Sequence, residues 1–178
     1  MEKKGTVYFF TGLAGAGKTT IGGLFYERLK KRSPDAILLD GDRMRTQVGH
    51  SAADGTVLQL DRYTTEARKA GAFDVFAYCK RASDAGHDIV ICSIAMYTEV
   101  RSWNRENIQN YKEIYIKVTR ETLYRRDQKK LYSSGAKQVV GIDLPYDEPE
   151  HPDVVIVNDG SETPEQIVDR LETQLGLL

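Results

Sequence analysis

The chain has 178 residues, a length that favours one domain with a sizeable core. Hydrophobic residues make up 40%, and 25 basic against 26 acidic side chains leave a formal net charge of −1. This composition argues against disorder and against a broad nucleic-acid-binding surface, while leaving room for a local phosphate pocket. Met1 to Lys4 followed by an apolar run has the outline of a signal peptide. The Gly-rich loop that follows explains the run better, because cleavage there would destroy it. No apolar stretch approaches the ~20 residues of a membrane span, and a cytoplasmic protein is expected.

Thr6 to Phe10 is rich in β-branched and aromatic residues and predicts a buried strand. The next residues, Gly12-Leu13-Ala14-Gly15-Ala16-Gly17-Lys18-Thr19, fit G-x-x-x-x-G-K-[ST], a phosphate-binding loop. Its glycines let backbone N–H groups curl around phosphate oxygens. Lys18 supplies a point charge for the β/γ-phosphates, and the Thr19 hydroxyl can ligate Mg²⁺. Thr20 to Lys31 reads as a helix, with Ile21, Leu24, Phe25 and Leu29 on one side. Strand, loop and helix in that order separate the motif from a chance glycine turn.

Ala36 to Leu39 is a second strand after the turn Ser33-Pro34-Asp35, and it runs into Asp40-Gly41-Asp42-Arg43-Met44-Arg45. Two carboxylates at a strand end suit metal positioning or acceptance of a hydroxyl proton. A turn with Asp as a helix cap is the plainer alternative. Arg45 suits a bidentate contact to an anionic acceptor, or is a solvated surface charge. A long helix is expected from about Thr64 to Asp84, ended by Gly86. Asp88 to Cys92 is a third strand, apolar on both faces as a central parallel strand should be. Tyr97 follows it, as a base-stacking residue or a plain rim aromatic.

Glu99 to Asn107 reads as a short helix and Glu113 to Val118 as a fourth strand. A helix then starts at Glu121 and runs into the charge run Arg125 to Lys130, either a solvated face or a phosphate contact. Residues 127–149 lack clear periodicity, and a segment of that length inside a compact domain suits a lid. Val154 to Val157 is a fifth strand. The last helix opens on Thr163 as N-cap, Pro164 at the first position and Gln166 as capping-box partner. Trp103, Tyr111 and Tyr115 are assigned to packing. Cys79 and Cys92 lack metal-ligand spacing and read as buried thiols. The histidines are scattered and suggest no metal site.

The predicted fold is α/β: a parallel five-stranded sheet with helices on both faces and a lid segment, in one P-loop kinase domain spanning residues 1–178. Ligands in such folds bind at the carboxyl ends of the strands, so the segments after strands one to four should meet in one cleft. No N/T-K-x-D guanine signal is present, and strand three does not end in an Asp. A small kinase fits better than a switch or motor.

At this point the residues resemble the adenylylsulfate kinase (APS kinase) family. The likeness covers nearly the whole chain. It rests on Gly12 to Thr20, on Leu39-Asp40-Gly41-Asp42 with Arg45, on Arg126-Asp127 with Lys129, Leu131 and Tyr132, and on Gly141-Ile142-Asp143 with Pro145, Tyr146 and Pro149. The resemblance implies γ-phosphoryl transfer from ATP to the 3′-hydroxyl of adenylylsulfate, with Mg²⁺, in a homodimer. It assigns ATP to the loop residues Gly12, Ala14, Gly15, Ala16, Gly17, Lys18, Thr19 and Thr20, with Arg126 and the lid residue Lys129. It gives Mg²⁺ to Thr19 and Asp40, makes Lys18 and Asp42 catalytic, and places the acceptor against Asp40, Asp42, Arg45, Arg68, Tyr97, Val139 and Val140.

The departures gather on the acceptor side. The family's R-x-x-N keeps Arg68 but has Gly71 for Asn. Its I-S-P-Y-R reads Ile94-Ala95-Met96-Tyr97-Thr98, and its F-T-G reads Val139-Val140-Gly141, which removes an aromatic expected to stack on adenine. Each lost stack or hydrogen bond costs on the order of 1–3 kcal/mol, enough together to change the substrate. The same chemistry on another activated nucleotide, such as cytidine diphosphoramidate in capsule modification, is therefore the rival expectation. A non-catalytic nucleotide-binding module is the remote one.

Overall fold

In the computed structural model, residues 3–41, 64–127, 130, 133–135, 137, 139–142 and 144–178 are described. They form β1 (Val7–Thr11), α1 (Lys18–Arg32), β2 (Ile37–Asp40), α2 (Thr65–Asp84), β3 (Ile89–Cys92), α3 (Thr98–Asn107), β4 (Tyr111–Lys117), α4 (Arg120–Arg126), β5 (Val154–Val157) and α5 (Pro164–Gln174). Asp42, Arg45 and Lys129 lie outside the described residues.

The five strands form one parallel sheet in the order β2-β3-β1-β4-β5. β1 and β3 are buried at every position, which is why they read as unbroken apolar runs. β5, at the sheet edge, alternates buried and exposed. On one face Tyr8, Phe10, Cys92, Ile114 and Ile156 pack with Ile21 and Phe25 of α1 and Ile167, Val168 and Leu171 of α5. On the other, Val7, Phe9 and Ile91 pack with Phe76 of α2 and Val100 of α3. Phe9 meets Phe76 edge-to-face at 4.9 Å, and each such fully buried side chain contributes roughly 1.5–3 kcal/mol. Trp103, Tyr111 and Tyr115 join these apolar clusters, and both cysteines are free and buried.

Helix starts follow their chemistry. Thr163 caps α5 in a complete capping box with Gln166, and Thr119 caps α4 by accepting from the Thr122 amide. α1 begins two residues before the pattern suggested. Gly17 supplies its N-cap with a φ of 101°, a conformation that the apolar periodicity does not signal. β4 also begins earlier than its apolar run, because Tyr111 and Lys112 pair with Val7 and Tyr8.

Register sets the site. Phe10, Cys92 and Asp40 stand level on adjacent strands, so the chain leaves β1, β2 and β3 on one edge of the sheet. β1 is the switch point, with β3 on one side and β4 on the other. No helix among the described residues is long and apolar enough to cross a membrane.

Candidate active site

The loop between β1 and α1 is held too tightly for a side chain at Gly12 or Gly17. A Cβ on Gly12 would lie 2.5 Å from the Ile116 carbonyl oxygen, and one on Gly17 would lie 2.7 Å from Asn158 Nδ2. The Ala16 amide donates to the Leu13 carbonyl at 3.1 Å, and Lys18 Nζ donates to the same carbonyl at 2.8 Å. Lys18 thus lies across its own loop, while Thr19 and Thr20 are exposed at the first turn of α1. Amides, an ammonium and a helix N-terminus together form an anion cradle.

Beneath the loop, the Cys92 thiol donates to the Lys18 carbonyl at 3.4 Å. Burial and the nearby Asp40 carboxylate push this thiol up to about 12, with Lys18 opposing. Cys92 thus touches the loop through the Lys18 carbonyl and stands level with Asp40 on the neighbouring strand. Asp40 is buried at the strand end. A Thr19 hydroxyl and an Asp40 carboxylate are hard oxygen donors, the kind that Mg²⁺ accepts alongside phosphates and water. Among the described residues no group of three or more His, Cys, Asp or Glu side chains gathers to hold a metal. A magnesium–nucleotide site needs only one or two protein oxygens.

On the β4–β5 side of the loop lies a cavity of about 240 Å³ between Gly15, Gly17 and Thr20 and the residues Arg126, Asn158 and Glu162. Arg126 ends α4, and its Nη2 donates to the Asn158 carbonyl at 2.9 Å and to Asn158 Oδ1 at 3.4 Å. Asn158 Nδ2 in turn donates to the Ala16 carbonyl at 2.8 Å. One asparagine thus ties the loop to the guanidinium across the cavity. The charge run divides here: Arg125 is solvated, and Arg126 faces the cavity. Sequence reasoning placed no site residue after strand five. Asn158, Gly160 and Glu162 fill that place, and the rule that ligands gather at strand ends was the signal.

On the β3 side, Lys69 of α2 pairs with Glu99 at 2.7 Å and stands 5.7 Å from the centre of the Tyr97 ring. The hydrogen bond to Lys69 holds the Glu99 carboxyl below its ordinary range. Arg68 occupies the same N-terminal stretch of α2 and is half-buried. Met96 and Val140 are buried and pack with Leu13, Tyr115 and Leu123. Val139 is also buried. The loop residues thus meet Asp40 below, Arg126 on one flank and the Met96–Val140 cluster on the other.

A family model described as adenylylsulphate kinase matches residues 4–157. A relative from Campylobacter jejuni named cytidine diphosphoramidate kinase is 35% identical, over 99% of this chain and 100% of its own length. An adenylyl-sulfate kinase from a Picosynechococcus strain is 32% identical, over 100% of this chain and 99% of its own. The Mycobacterium tuberculosis APS kinase, solved with AMPPNP and APS, superposes with a TM-score of 0.81 at 23% identity, over 98% of this chain and 99% of that one. At that identity the superposition speaks for the fold.

Proposed function

The chain belongs to the adenylylsulphate kinase family, and we propose that it moves the γ-phosphoryl group of ATP to the 3′-hydroxyl of an activated nucleotide. The observation that carries this reading is the Asn158 bridge, which joins an intact phosphate loop to the Arg126 side of a base-sized cavity. The ATP phosphates lie along Gly15 to Thr19, and the base enters beside Arg126. The acceptor approaches from the β2–β3 side, toward Arg68 and Tyr97. Lys18 leaves the Leu13 carbonyl for the transferring phosphate. Asp42 orients or deprotonates the acceptor hydroxyl, and Arg45 and Lys129 hold phosphates of acceptor and donor as the resemblance implies. Thr19 and Asp40 would hold Mg²⁺, which offsets phosphate charge. Catalysis on this reading is positioning and electrostatics.

Two acceptors fit the family, adenylylsulfate and cytidine diphosphoramidate. The aliphatic character of Val139 and Val140 favours the second. Both are buried, Val139 where the resemblance implies an aromatic platform and Val140 packed against Leu13 and Met96. A purine loses more from a missing stack than a pyrimidine with its smaller π-face. A single domain with residues 127–149 as lid, a homodimer and a cytoplasmic location complete the reading. Light scattering tests the dimer.

The deciding experiment is ADP release with Mg-ATP and a panel of adenylylsulfate, cytidine diphosphoramidate, their parent nucleotides and no acceptor. Turnover on cytidine diphosphoramidate alone supports a re-specified pocket. Turnover on adenylylsulfate alone means that the altered residues are tolerated. No turnover above the acceptor-free rate overturns the proposed chemistry.

A further inference from the structure

The N-terminus of α3 has an unusual cap. The residue at the N-cap position is Tyr97, whose side chain makes no capping hydrogen bond. Ser, Thr, Asp and Asn dominate that position because a short side-chain oxygen can accept from the first-turn amides, which a tyrosine cannot reach. Here the acceptor comes from elsewhere. Asp147 Oδ2 accepts from the Thr98 amide at 2.9 Å, from 49 residues downstream. The bond to that amide holds the Asp147 carboxyl below its ordinary range, as expected for an anion at a helix N-terminus.

Asp147 is itself anchored at two further points, and Glu148 beside it at a third. Its amide donates to the Met96 carbonyl at 2.9 Å. Its carbonyl accepts from Arg101 Nη1 at 2.8 Å, and Arg101 Nη2 reaches the Glu148 carbonyl at 3.4 Å. Arg101 is buried and stands 3.6 Å from the equally buried Glu113 of β4. Buried ion pairs of this kind add little net stability, because desolvation offsets attraction, but they hold register. Next to Glu148, Tyr115 and Lys117 of β4 close the strap at 3.2 Å and 2.7 Å.

The segment so held is strained. Ala95 adopts a φ of 33°, a left-handed conformation that a residue with a Cβ avoids. The Tyr97 amide donates back to the Ala95 carbonyl at 2.9 Å, closing a tight turn around Met96. Strain of this sort persists only where surrounding contacts over-determine it, and the Asp147 contacts to Met96 and Thr98 lie on both sides of Tyr97.

We propose that Asp147 is a positioning residue for the acceptor: it caps α3 in place of Tyr97 and so holds the Tyr97 ring at the cleft. This rests on the reading above that Tyr97 faces the acceptor. The arrangement separates two jobs that one residue performs in most helices. Position 97 carries an aromatic ring for binding, and the last residues of the 127–149 segment supply the cap.

The bond can be removed from either end. Asp147→Ala deletes the acceptor. Thr98→Pro deletes the donor at the first helical position, where proline is well tolerated. The backbone of Tyr97, with φ −121° and ψ 125°, already suits a residue before proline. KM and kcat are measured for ATP and for the better of adenylylsulfate and cytidine diphosphoramidate, with Tm recorded for each variant.

Asp147→Ala and Thr98→Pro should each raise acceptor KM roughly ten-fold, the scale of one lost cap, with ATP KM within about two-fold of the parent. The double variant should be no worse than either single, since both remove one bond. Asp147→Asn keeps an acceptor oxygen and should restore most of the acceptor affinity. Parent-like acceptor KM in Asp147→Ala overturns the proposal, as does a parallel rise in ATP KM, which marks a merely structural strap. Tyr97→Ala separates the two readings. If it raises acceptor KM while Asp147→Ala does not, the positioning role alone fails. If it leaves acceptor KM unchanged, the placement of the acceptor fails and this inference with it.

Discussion

The two flanks of the phosphate loop are built differently. On the proposed reading, the donor flank is made of backbone and of contacts across neighbouring strand ends: the loop amides, the Asn158 bridge and the end of α4. The acceptor flank is made of side chains brought from far apart in sequence, with Met96 and Tyr97 after β3, Lys69 from α2 and the Val139 to Glu148 strap. A backbone cradle tolerates little change, because Gly12 and Gly17 leave no room for a side chain. A side-chain wall can be rewritten residue by residue while the fold stays. This explains why the loop matches its motif in full and the departures from the family pattern gather on the other flank.

Breaking the donor flank should have the largest effect. Lys18→Ala is expected to lower kcat by roughly 10²–10³ or more, the scale of one lost charge-stabilising donor. Steady-state ADP release measures it, and near-parent turnover would remove Lys18 from the mechanism. Asp42→Asn should bind ATP normally and lose transfer. If calorimetry instead finds weakened Mg²⁺ dependence with chemistry intact, Asp42 positions metal and is not the base.

Arg126→Ala should act on one flank alone, raising ATP KM by about ten-fold, as expected for a charged hydrogen-bonding group lost from a site, with acceptor KM unchanged. An equal rise in both constants would mean that the bridge supports the whole cleft. On the acceptor flank, Val139→Phe tests the proposed base preference. It should raise the ratio of adenylylsulfate to cytidine turnover by several-fold if room exists, and a fall in both would show that overpacking at this buried position dominates.

The smallest effect is on the pH dependence of stability. The Asp147 carboxyl is held below its unfolded value, chiefly by the Thr98 amide. Its stabilisation is therefore present above the ordinary aspartate range, near pH 3.9, and is lost as pH falls through the lowered folded value. Asp147→Asn should lower Tm slightly at neutral pH, with the two Tm curves converging in acid. Curves that stay parallel down to acid would mean that the charge of Asp147 does not contribute.

Much of this fold is legible in the residues because the signals are local. β1 and β3 announce themselves as unbroken apolar runs, since a central parallel strand is buried on both faces. α5 shows its start in Thr163, Pro164 and Gln166 because capping is chemistry within four residues. The phosphate loop is legible for the same reason. Asn158 is not: an asparagine after a strand looks like any turn residue, and its role arises only because parallel pairing brings the end of β5 toward the loop after β1. Asp147 is hidden further, in a stretch without periodicity, and caps a helix 49 residues upstream.

The sequence by itself determined the order of strands and helices, the phosphate loop and the family pattern that names ATP. Each is encoded by side-chain period, backbone permissiveness or motif spacing within a few residues. Only the tertiary structure decided which strand ends meet, that Arg126 faces the cavity while Arg125 faces water, that Val140 is packed against the loop, and that Asp147 caps the start of α3. Those outcomes depend on sheet order and on burial shared between distant segments, and no window of the chain contains both partners.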